Sequence, residues 1–188
     1  MSETPRPWPI LARRVDFSTR IFQVTTQTAR NPRNGRERDF VVLDSPDWVN
    51  VVALTPRQEV VLIRQYRFGT GEVALEIPGG LIDPGDTPQG AAVRELMEET
   101  GYAPGRVSLL GRLRPNPAFL NNTLYTYLVE DAVRAGEPRL DPGEDIGVEL
   151  FPAADIPGLV ASGRINHALV LNALFWWRCP EFRTAAEG

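Results

Sequence analysis

Apolar and polar residues alternate along several stretches of the chain, and a period of two residues predicts β-strands. The first strand-like stretches are residues 13–28 and 39–43, with turn-forming residues between them. Further ones follow at residues 49–54, 59–67, 73–77, 106–113, 123–129 and 147–151. Strands in this order, interrupted by helices, predict a mixed α/β sandwich preceded by a small N-terminal antiparallel sheet.

A helix is predicted over residues 88–100, because Thr87 can cap its start, Pro88 suits the first helical position and Gly101 follows its end. A shorter helix is predicted over residues 155–162 and a last one over residues 167–178. At about 100° per residue, the first helix should pack one face on the core and leave the other acidic. Its packing face would consist of Ala92, Val93, Leu96 and Met97.

The acidic face of that helix carries Glu95, Glu98 and Glu99 in its last two turns. Carboxylates three and four residues apart repel each other, and they lie at the negative end of the helix dipole. A cation is therefore expected beside them, and oxygen ligands suit Mg²⁺ or Mn²⁺. The alternative is an exposed acidic helix end that Arg94 partly neutralises.

Composition narrows the possible chemistry. The chain has 188 residues, 43% of them hydrophobic, and one cysteine, which favours a compact domain in a reducing cytoplasm. We expect no secretion signal and no membrane span. The absence of lysine excludes a Gly-Lys-Ser phosphate loop and Schiff-base catalysis. The only histidine, His167, has no Gly-x-Ser-x-Gly motif to accompany it, which disfavours a serine triad.

Charge is unevenly distributed along the chain. The net charge of −4 argues against nucleic acid as a main partner. Residues 83–99 hold five acids and one base, whereas the first seventy residues hold eleven arginines and seven acids. This split is consistent with an acidic cation site that faces arginines able to hold phosphate oxygens.

Residues 80–102 read GLIDPGDTPQGAAVRELMEETGY and resemble the signature of the Nudix hydrolases. That box has Gly, five residues, Glu, seven residues, then Arg-Glu-apolar-x-Glu-Glu-x-Gly-apolar. The chain departs from it twice: Asp86 stands at the first Glu and Tyr102 at the final apolar position. Asp86 is one methylene shorter than the Glu that is expected to contact Arg94.

The resemblance covers roughly residues 8–178 and is greatest to the branch that hydrolyses ADP-ribose and nucleoside diphosphate sugars. It implies a Nudix-type α/β/α sandwich with a mixed central sheet. A proline fifteen positions after the box, here Pro117, is associated in that branch with ADP-ribose substrates. The segments that carry the resemblance to this branch are DWVNV at 47–51, RQYR at 64–67, LEIPGG at 75–80 and RINHALV at 164–170.

The resemblance also implies roles for the box residues. The Gly79 carbonyl, Glu95 and Glu99 would bind Mg²⁺, with Mn²⁺ as a possible replacement. Glu98 would be a further metal ligand, or it would contact the metal-binding residues without binding the ion directly. Arg94 would orient the glutamates.

Other roles fall outside the box. The catalytic base is expected at Glu144, with Asp145 as an alternative, although such an acidic turn is commonly only solvated. Arg67 would lie near phosphate and Glu76 near a ribose or a second subunit; the alternatives are a surface charge and an ordinary ion pair. His167 is expected to cap or pack rather than to catalyse.

The predicted function is Mg²⁺-dependent hydrolysis of the diphosphate linkage of ADP-ribose or a related nucleotide sugar. The alternatives are another Nudix substrate class, such as oxidised nucleoside triphosphates or diadenosine polyphosphates, and a non-catalytic nucleotide sensor. The resemblance implies a homodimer without a nucleic-acid or membrane partner. We predict an N-terminal, dimerising sheet at residues 1–45, a hydrolase domain at 46–180 and a tail at 181–188.

Overall fold

The structure is a computed structural model that describes residues 4–182. It contains two units: residues 4–46 with Arg114–Thr123, and the rest of the described chain. The segment Arg114–Thr123, which lies within the hydrolase domain predicted at 46–180, thus belongs with the N-terminal strands. Of the predicted tail, only Glu181 and Phe182 are described, at the end of the 3₁₀ helix Pro180–Phe182, and the remainder lies outside the described residues.

The first unit is an antiparallel sheet of three strands in the order β1-β2-β3. The strands are β1 (Ile10–Ser18), β2 (Gln23–Arg30) and β3 (Glu37–Asp44). Residues 13–28, which read as one strand-like stretch, form a hairpin because Thr19 closes a turn with Phe22. The Thr19 hydroxyl donates to the Phe22 carbonyl over 2.8 Å and accepts from the Phe22 N–H over 3.0 Å.

Many large apolar side chains of this unit are exposed, and every residue of β1 is exposed. They are Trp8, Ile10, Leu11, Val15, Phe17, Ile21, Phe40, Val41 and Phe119. The segment Arg114–Thr123 is held by the Leu43 N–H, which donates to the Phe119 carbonyl over 2.7 Å. A three-stranded sheet with so much exposed apolar surface is only marginally stable by itself.

The second unit contains a mixed four-stranded sheet, a three-stranded antiparallel sheet and a two-stranded ribbon, in the orders β7-β4-β10-β9, β12-β5-β6 and β11-β8. The strands are β4 (Trp48–Ala53), β5 (Glu59–Arg67), β6 (Glu72–Glu76), β7 (Gly79–Leu81), β8 (Tyr102–Ala103), β9 (Arg106–Leu113), β10 (Leu124–Glu130), β11 (Val133–Arg134) and β12 (Ile146–Pro152). Strand β10 runs parallel to β4. The strands β7, β8 and β11 were not predicted, because two or three residues are too few to show alternation.

The helices are α1 (Pro88–Thr100), α2 (Ile156–Ala161) and α3 (Ala168–Arg178), all close to the predicted bounds. The predicted caps of α1 are confirmed: the Thr87 hydroxyl accepts from the Gly90 N–H over 3.0 Å. Gly101 has a φ of 73° and its N–H donates to the Met97 carbonyl over 2.9 Å. No helix within residues 4–182 combines the length and the apolar character needed to cross a membrane.

Alternating side chains of β4 build the two sides of the core. One set packs with Ala91, Ala92 and Leu96 of α1, and the other set packs with Val170, Ala173 and Leu174 of α3. The strand residues are Val49, Val51 and Ala53 on the α1 side, and Val52 on the α3 side. The helices therefore cover opposite faces, and the predicted α/β/α sandwich with a mixed central sheet is confirmed.

The exposure of α1 differs from the prediction. Met97 is 44% exposed and Val93 is only half-buried, whereas Glu95 is 9% and Glu99 2% exposed. The prediction that Met97 packs on the core is therefore wrong, and so is the idea of an exposed acidic helix end. The cause is that α1 packs against β7 as well as β4, so that its glutamate side faces the Gly79–Leu81 strand.

Candidate functional site

The candidate site forms where α1 lies against β7, and two glycines allow this approach. A Cβ atom on Gly80 would lie 2.5 Å from the Glu95 carboxyl carbon, and one on Gly79 would overlap the Val49 carbonyl. The Gly79 N–H donates to Glu99 Oε2 over 2.8 Å. A side chain at either glycine would therefore separate the strand from the acidic face of α1.

Arg94 holds the carboxylates of this region together. Its Nη1 donates to Glu95 Oε1 over 2.8 Å and to Glu98 Oε2 over 3.1 Å, and its Nη2 donates to the Leu81 carbonyl over 3.0 Å. Its Nε donates to Asp86 Oδ2 over 3.3 Å, so the shorter acid still makes the contact expected of a glutamate. This geometry fits the predicted role of Arg94 in orienting the glutamates.

Burial, together with neighbouring carboxylates, raises the pKa values of Glu95 and Glu99. Burial is the main cause of the raised pKa of Glu95, with further contributions from Glu98 and Glu144 against the lowering effect of Arg94. Burial also raises the pKa of Glu99 to about 8, reinforced by Glu95 and Glu144 and opposed by the Gly79 N–H. Burial and neighbouring carboxylates therefore disfavour the ionised forms of Glu95 and Glu99, which a nearby cation would favour.

Glu144 lies on the loop before β12 and is half-buried. Its Oε2 accepts the Asp141 N–H over 3.0 Å, which fixes the loop. Its charge acts on Glu95, Glu99 and Arg67, so its carboxylate lies in the same electrostatic environment as the box residues. Asp145, the alternative base, is exposed.

Arg67 and Glu76 lie at the ends of β5 and β6 and form a two-point ion pair. Arg67 Nε and Nη2 each donate to a different oxygen of Glu76 over 2.8 Å. His167 Nδ1 lies 3.2 Å from Glu76 Oε2. Burial alone would raise the pKa of Glu76, but the hydrogen bonds from Arg67 and His167 outweigh it and lower this pKa to about 2.

His167 does not cap its helix with its side chain, which was one of the two roles expected of it. It occupies the position before α3 but makes no capping hydrogen bond with its side chain. The expectation of capping is therefore wrong, because the imidazole turns to the Glu76 carboxylate instead. Sequence reasoning missed the contact between His167 and Glu76. The one sequence feature that pointed to His167 was its position in the segment 164–170, which resembles the corresponding segment of the Nudix hydrolases.

A cavity of about 760 Å³ opens beside this cluster. Its lining includes Arg67, Glu76 and His167, and it extends to Phe68 and Arg164. The same three side chains also line a recess of about 150 Å³ that reaches Gly79 and Gly80. The cavity and the recess therefore extend from Gly79 and Gly80 of β7 to the loop between β5 and β6.

Pro117 lies in the first unit, and its predicted link to the substrate stays a prediction.

The donor set suits a hard divalent cation. Three of the groups predicted to bind it are the carboxylates of Glu95, Glu98 and Glu99. Glu95 and Glu99 are buried, and Arg94 donates hydrogen bonds to Glu95 and Glu98. Among residues 4–182, no three His, Cys, Asp or Glu side chains already converge as a metal-binding group. Arg94 Nη1 contacts Glu95 and Glu98 instead, and a divalent ion would neutralise the same two carboxylates.

Comparisons with known proteins agree with this site. A model of the NUDIX domain matches residues 44–174. The ADP-ribose pyrophosphatase of Bacillus subtilis (strain 168) is 26% identical over 172 residues, covering 91% of this chain and 92% of that protein. The ADP-sugar pyrophosphatase of Mus musculus is 34% identical over 137 residues, covering 67% and 62% respectively.

A solved structure, described as the crystal structure of ADP compounds hydrolase, covers 97% of this chain and 100% of that chain. Its TM-score is 0.83 and its sequence identity 26%. The chain spans a smaller share of some other relatives, namely 46% of one from Caenorhabditis elegans and 61% of one from Bacillus methanolicus. The resemblance drawn from residues 80–102 is confirmed: the chain belongs to the Nudix family of hydrolases, which act on pyrophosphate bonds.

Proposed function

We propose that this Nudix enzyme hydrolyses the diphosphate linkage of ADP-ribose or a related nucleoside diphosphate sugar, and that it uses Mg²⁺ or Mn²⁺. The products would be a nucleoside monophosphate and a sugar phosphate. The observation that carries this proposal is that the charges of Glu99 and Glu144 act on Arg67, which lines the cavity of about 760 Å³. The relatives named for ADP-ribose and ADP-sugars support the substrate class.

The metal ligands of the proposal are the Gly79 carbonyl, Glu95 and Glu99, with Glu98 supporting them. A divalent cation held there would neutralise phosphate charge and acidify the attacking water. Arg94 keeps Glu95 and Glu98 in place through its Nη1. The buried position of Glu99 and its bond from the Gly79 N–H hold that carboxylate against the strand.

Glu144 would serve as the general base of the reaction. It would accept the proton of the water that attacks phosphorus, and its charge already acts on the neighbouring Glu95 and Glu99. Arg67 would bind phosphate oxygens. Because Glu76 engages Nε and one hydrogen of Nη2, both hydrogens of Nη1 and the second hydrogen of Nη2 are left for substrate oxygens.

The cavity sets the shape of the substrate. Its volume of about 760 Å³ suits a nucleoside or sugar moiety, since small-molecule sites span roughly 300–1,000 Å³. A diphosphate at the carboxylates would place one of its two attached groups in the recess and cavity. Phe68 is 89% exposed at the far side, where it can contact a ring, and Arg164 supplies a further positive charge.

The exposed apolar surface of the first unit leads us to include a homodimer in the proposal. The β1 strand offers Ile10, Val15 and Phe17 to solvent, and a second copy would cover them. We expect light scattering to give twice the 20.9 kDa mass of one chain. A particle of 20.9 kDa at micromolar concentration would contradict the dimer.

The catalytic proposal is tested with a hydrolysis panel of ADP-ribose, ADP-glucose, GDP-mannose, NADH, an oxidised nucleoside triphosphate and a diadenosine polyphosphate. We expect ADP-ribose or ADP-glucose to be turned over fastest with Mg²⁺, with AMP and a sugar phosphate identified by chromatography. A chelator should abolish turnover, and added Mg²⁺ should restore it.

Each other outcome of the panel favours a different function. Preferred turnover of the triphosphate or the diadenosine compound would assign the enzyme to another Nudix substrate class. Tight binding of ADP-ribose without turnover of any compound would support a nucleotide sensor. Turnover of no diphosphate sugar would overturn the main proposal.

A further inference from the structure

We propose that His167 is a positioning residue, which holds Glu76 so that Glu76 holds Arg67 in the orientation that binds phosphate. The inference rests on the proposed function, because the phosphate contact of Arg67 belongs to it. Three elements meet in this arrangement: the start of α3, the end of β6 and the end of β5.

The geometry gives His167 a specific partner. It precedes α3 with an extended backbone, φ −74° and ψ 122°, and its side chain makes no hydrogen bond to the helix start. Its Nδ1 lies 3.2 Å from Glu76 Oε2, where an Nδ1–H group donates to the carboxylate. The side chain of His167 thus acts on another element and not on its own helix.

Glu76 transmits this contact to Arg67. The Glu76 side chain is 4% exposed and accepts both Arg67 bonds in the two-point geometry that fixes the plane of a guanidinium. His167 belongs to a separate element and adds a third donor, to Glu76 Oε2, which restricts rotation of the Glu76 carboxylate. Loss of the His167 contact would therefore loosen the Glu76 carboxylate and, through it, the Arg67 guanidinium.

The consequence for substrate follows from where Arg67 lies. Arg67 is 43% exposed and lines both the recess and the large cavity, and it is the residue of this cluster that we propose binds a phosphate. If the Arg67 guanidinium is less ordered in the free protein, substrate binding must immobilise it, and this lowers the affinity for the substrate. Glu144 and the carboxylates of α1 make no hydrogen bond to His167, so the step that breaks the phosphorus bond is not directly affected.

The test compares His167→Leu, which removes the donor, with His167→Asn, whose amide can place a donor near the original Nδ1. We expect His167→Leu to raise the KM for ADP-ribose about 3- to 10-fold, the effect of one hydrogen bond, with kcat within about twofold of wild type. His167→Asn should recover most of the KM. Asp155→Leu is the matched control, because Asp155 also precedes a helix without a capping bond and is exposed; it should leave both constants unchanged.

A second comparison asks whether the effect passes through Arg67. In an Arg67→Gln background, His167→Leu should change the KM by less than about twofold, because the two changes are coupled. Three results would each overturn the inference. They are a fall in kcat as large as the rise in KM, a KM that His167→Asn does not restore, and a change in KM that is as large in the Arg67→Gln background as in the wild type. If His167→Leu does not fold, His167→Gln replaces it, since its longer amide moves the donor away from Glu76.

ADP affinity measured by calorimetry separates this inference from the proposed function. ADP carries the diphosphate but needs no hydrolysis, so its dissociation constant reports on Arg67 directly. A wild-type protein that binds ADP without hydrolysing any diphosphate sugar would refute the enzyme proposal. In that case, weaker ADP binding by His167→Leu and recovery by His167→Asn would still support the positioning role, and equal binding by all three would refute it.

Discussion

Glu144→Gln is expected to lower kcat for the preferred diphosphate sugar by about 10²- to 10⁴-fold at saturating Mg²⁺, the usual contribution of a general base. Glutamine has nearly the shape of glutamate, and its oxygen can still accept the Asp141 N–H that fixes the loop. The KM should change by less than about threefold, because the proposed role of Glu144 is to take a proton and not to bind the substrate. Steady-state kinetics across substrate and Mg²⁺ concentrations measure both constants.

Asp145→Asn is the matched control for this experiment, since it neutralises the next acidic residue of the same loop. Asp145 is exposed, and we expect nearly wild-type turnover from its variant. Full turnover by Glu144→Gln would remove Glu144 from the mechanism. A large loss in Asp145→Asn alone would transfer the base to Asp145.

Glu76→Gln is expected to lower the free energy of unfolding by about 2 kcal/mol at neutral pH. The pKa of Glu76 falls from its ordinary 4.5 to about 2 in the folded protein. This difference corresponds to about 3 kcal/mol, and we reduce it because Arg67 is 43% exposed and partly screened. The contribution is complete above pH 4.5 and is lost as the pH falls towards 2, so the difference between wild type and variant should shrink over that range.

Urea unfolding of both proteins between neutral pH and pH 3 measures this difference. Glu72→Gln is the control, because Glu72 lies on the same strand and is exposed; its stability should stay within about 0.5 kcal/mol of wild type. A difference between Glu76→Gln and wild type that is the same at every pH would show that the ionised carboxylate is not the source of the stability.

The sequence predicts the box well because its information is local. Thr87 and Gly101 mark the ends of α1 by backbone chemistry that acts over a few residues, and both caps are present. The strands Glu59–Arg67 and Arg106–Leu113 have the predicted bounds for a similar reason, since alternation is a property of each segment. The contact between Asp86 and Arg94 also forms, although the aspartate is shorter than the usual residue.

Contacts between distant segments were harder to predict. The helical period correctly grouped Glu95 with Glu99, but it could not show that β7 would bury both of them. The hairpin register places Arg67 opposite Glu72 and Glu76 opposite Ile63, so it does not predict the Arg67–Glu76 pair. The link of Glu76 to His167 joins segments that are far apart in the sequence. No pattern within Arg114–Thr123 indicates that it belongs to the first unit, because that depends on its bonds to Leu43 and Ser45.

The parallel pairing of β4 and β10 has a consequence for how the enzyme folds. The chain between these two strands contains β5 to β9 and the whole of α1, so the pairing closes a long loop around the box. Closing such a loop is slow, because its entropy is lost before distant contacts compensate for it. Glu95 and Glu99 reach their buried positions only when α1 meets β4 and β7. We therefore expect the candidate site to be completed late in folding, because a nascent chain that ends before β10 lacks both this pairing and Glu144.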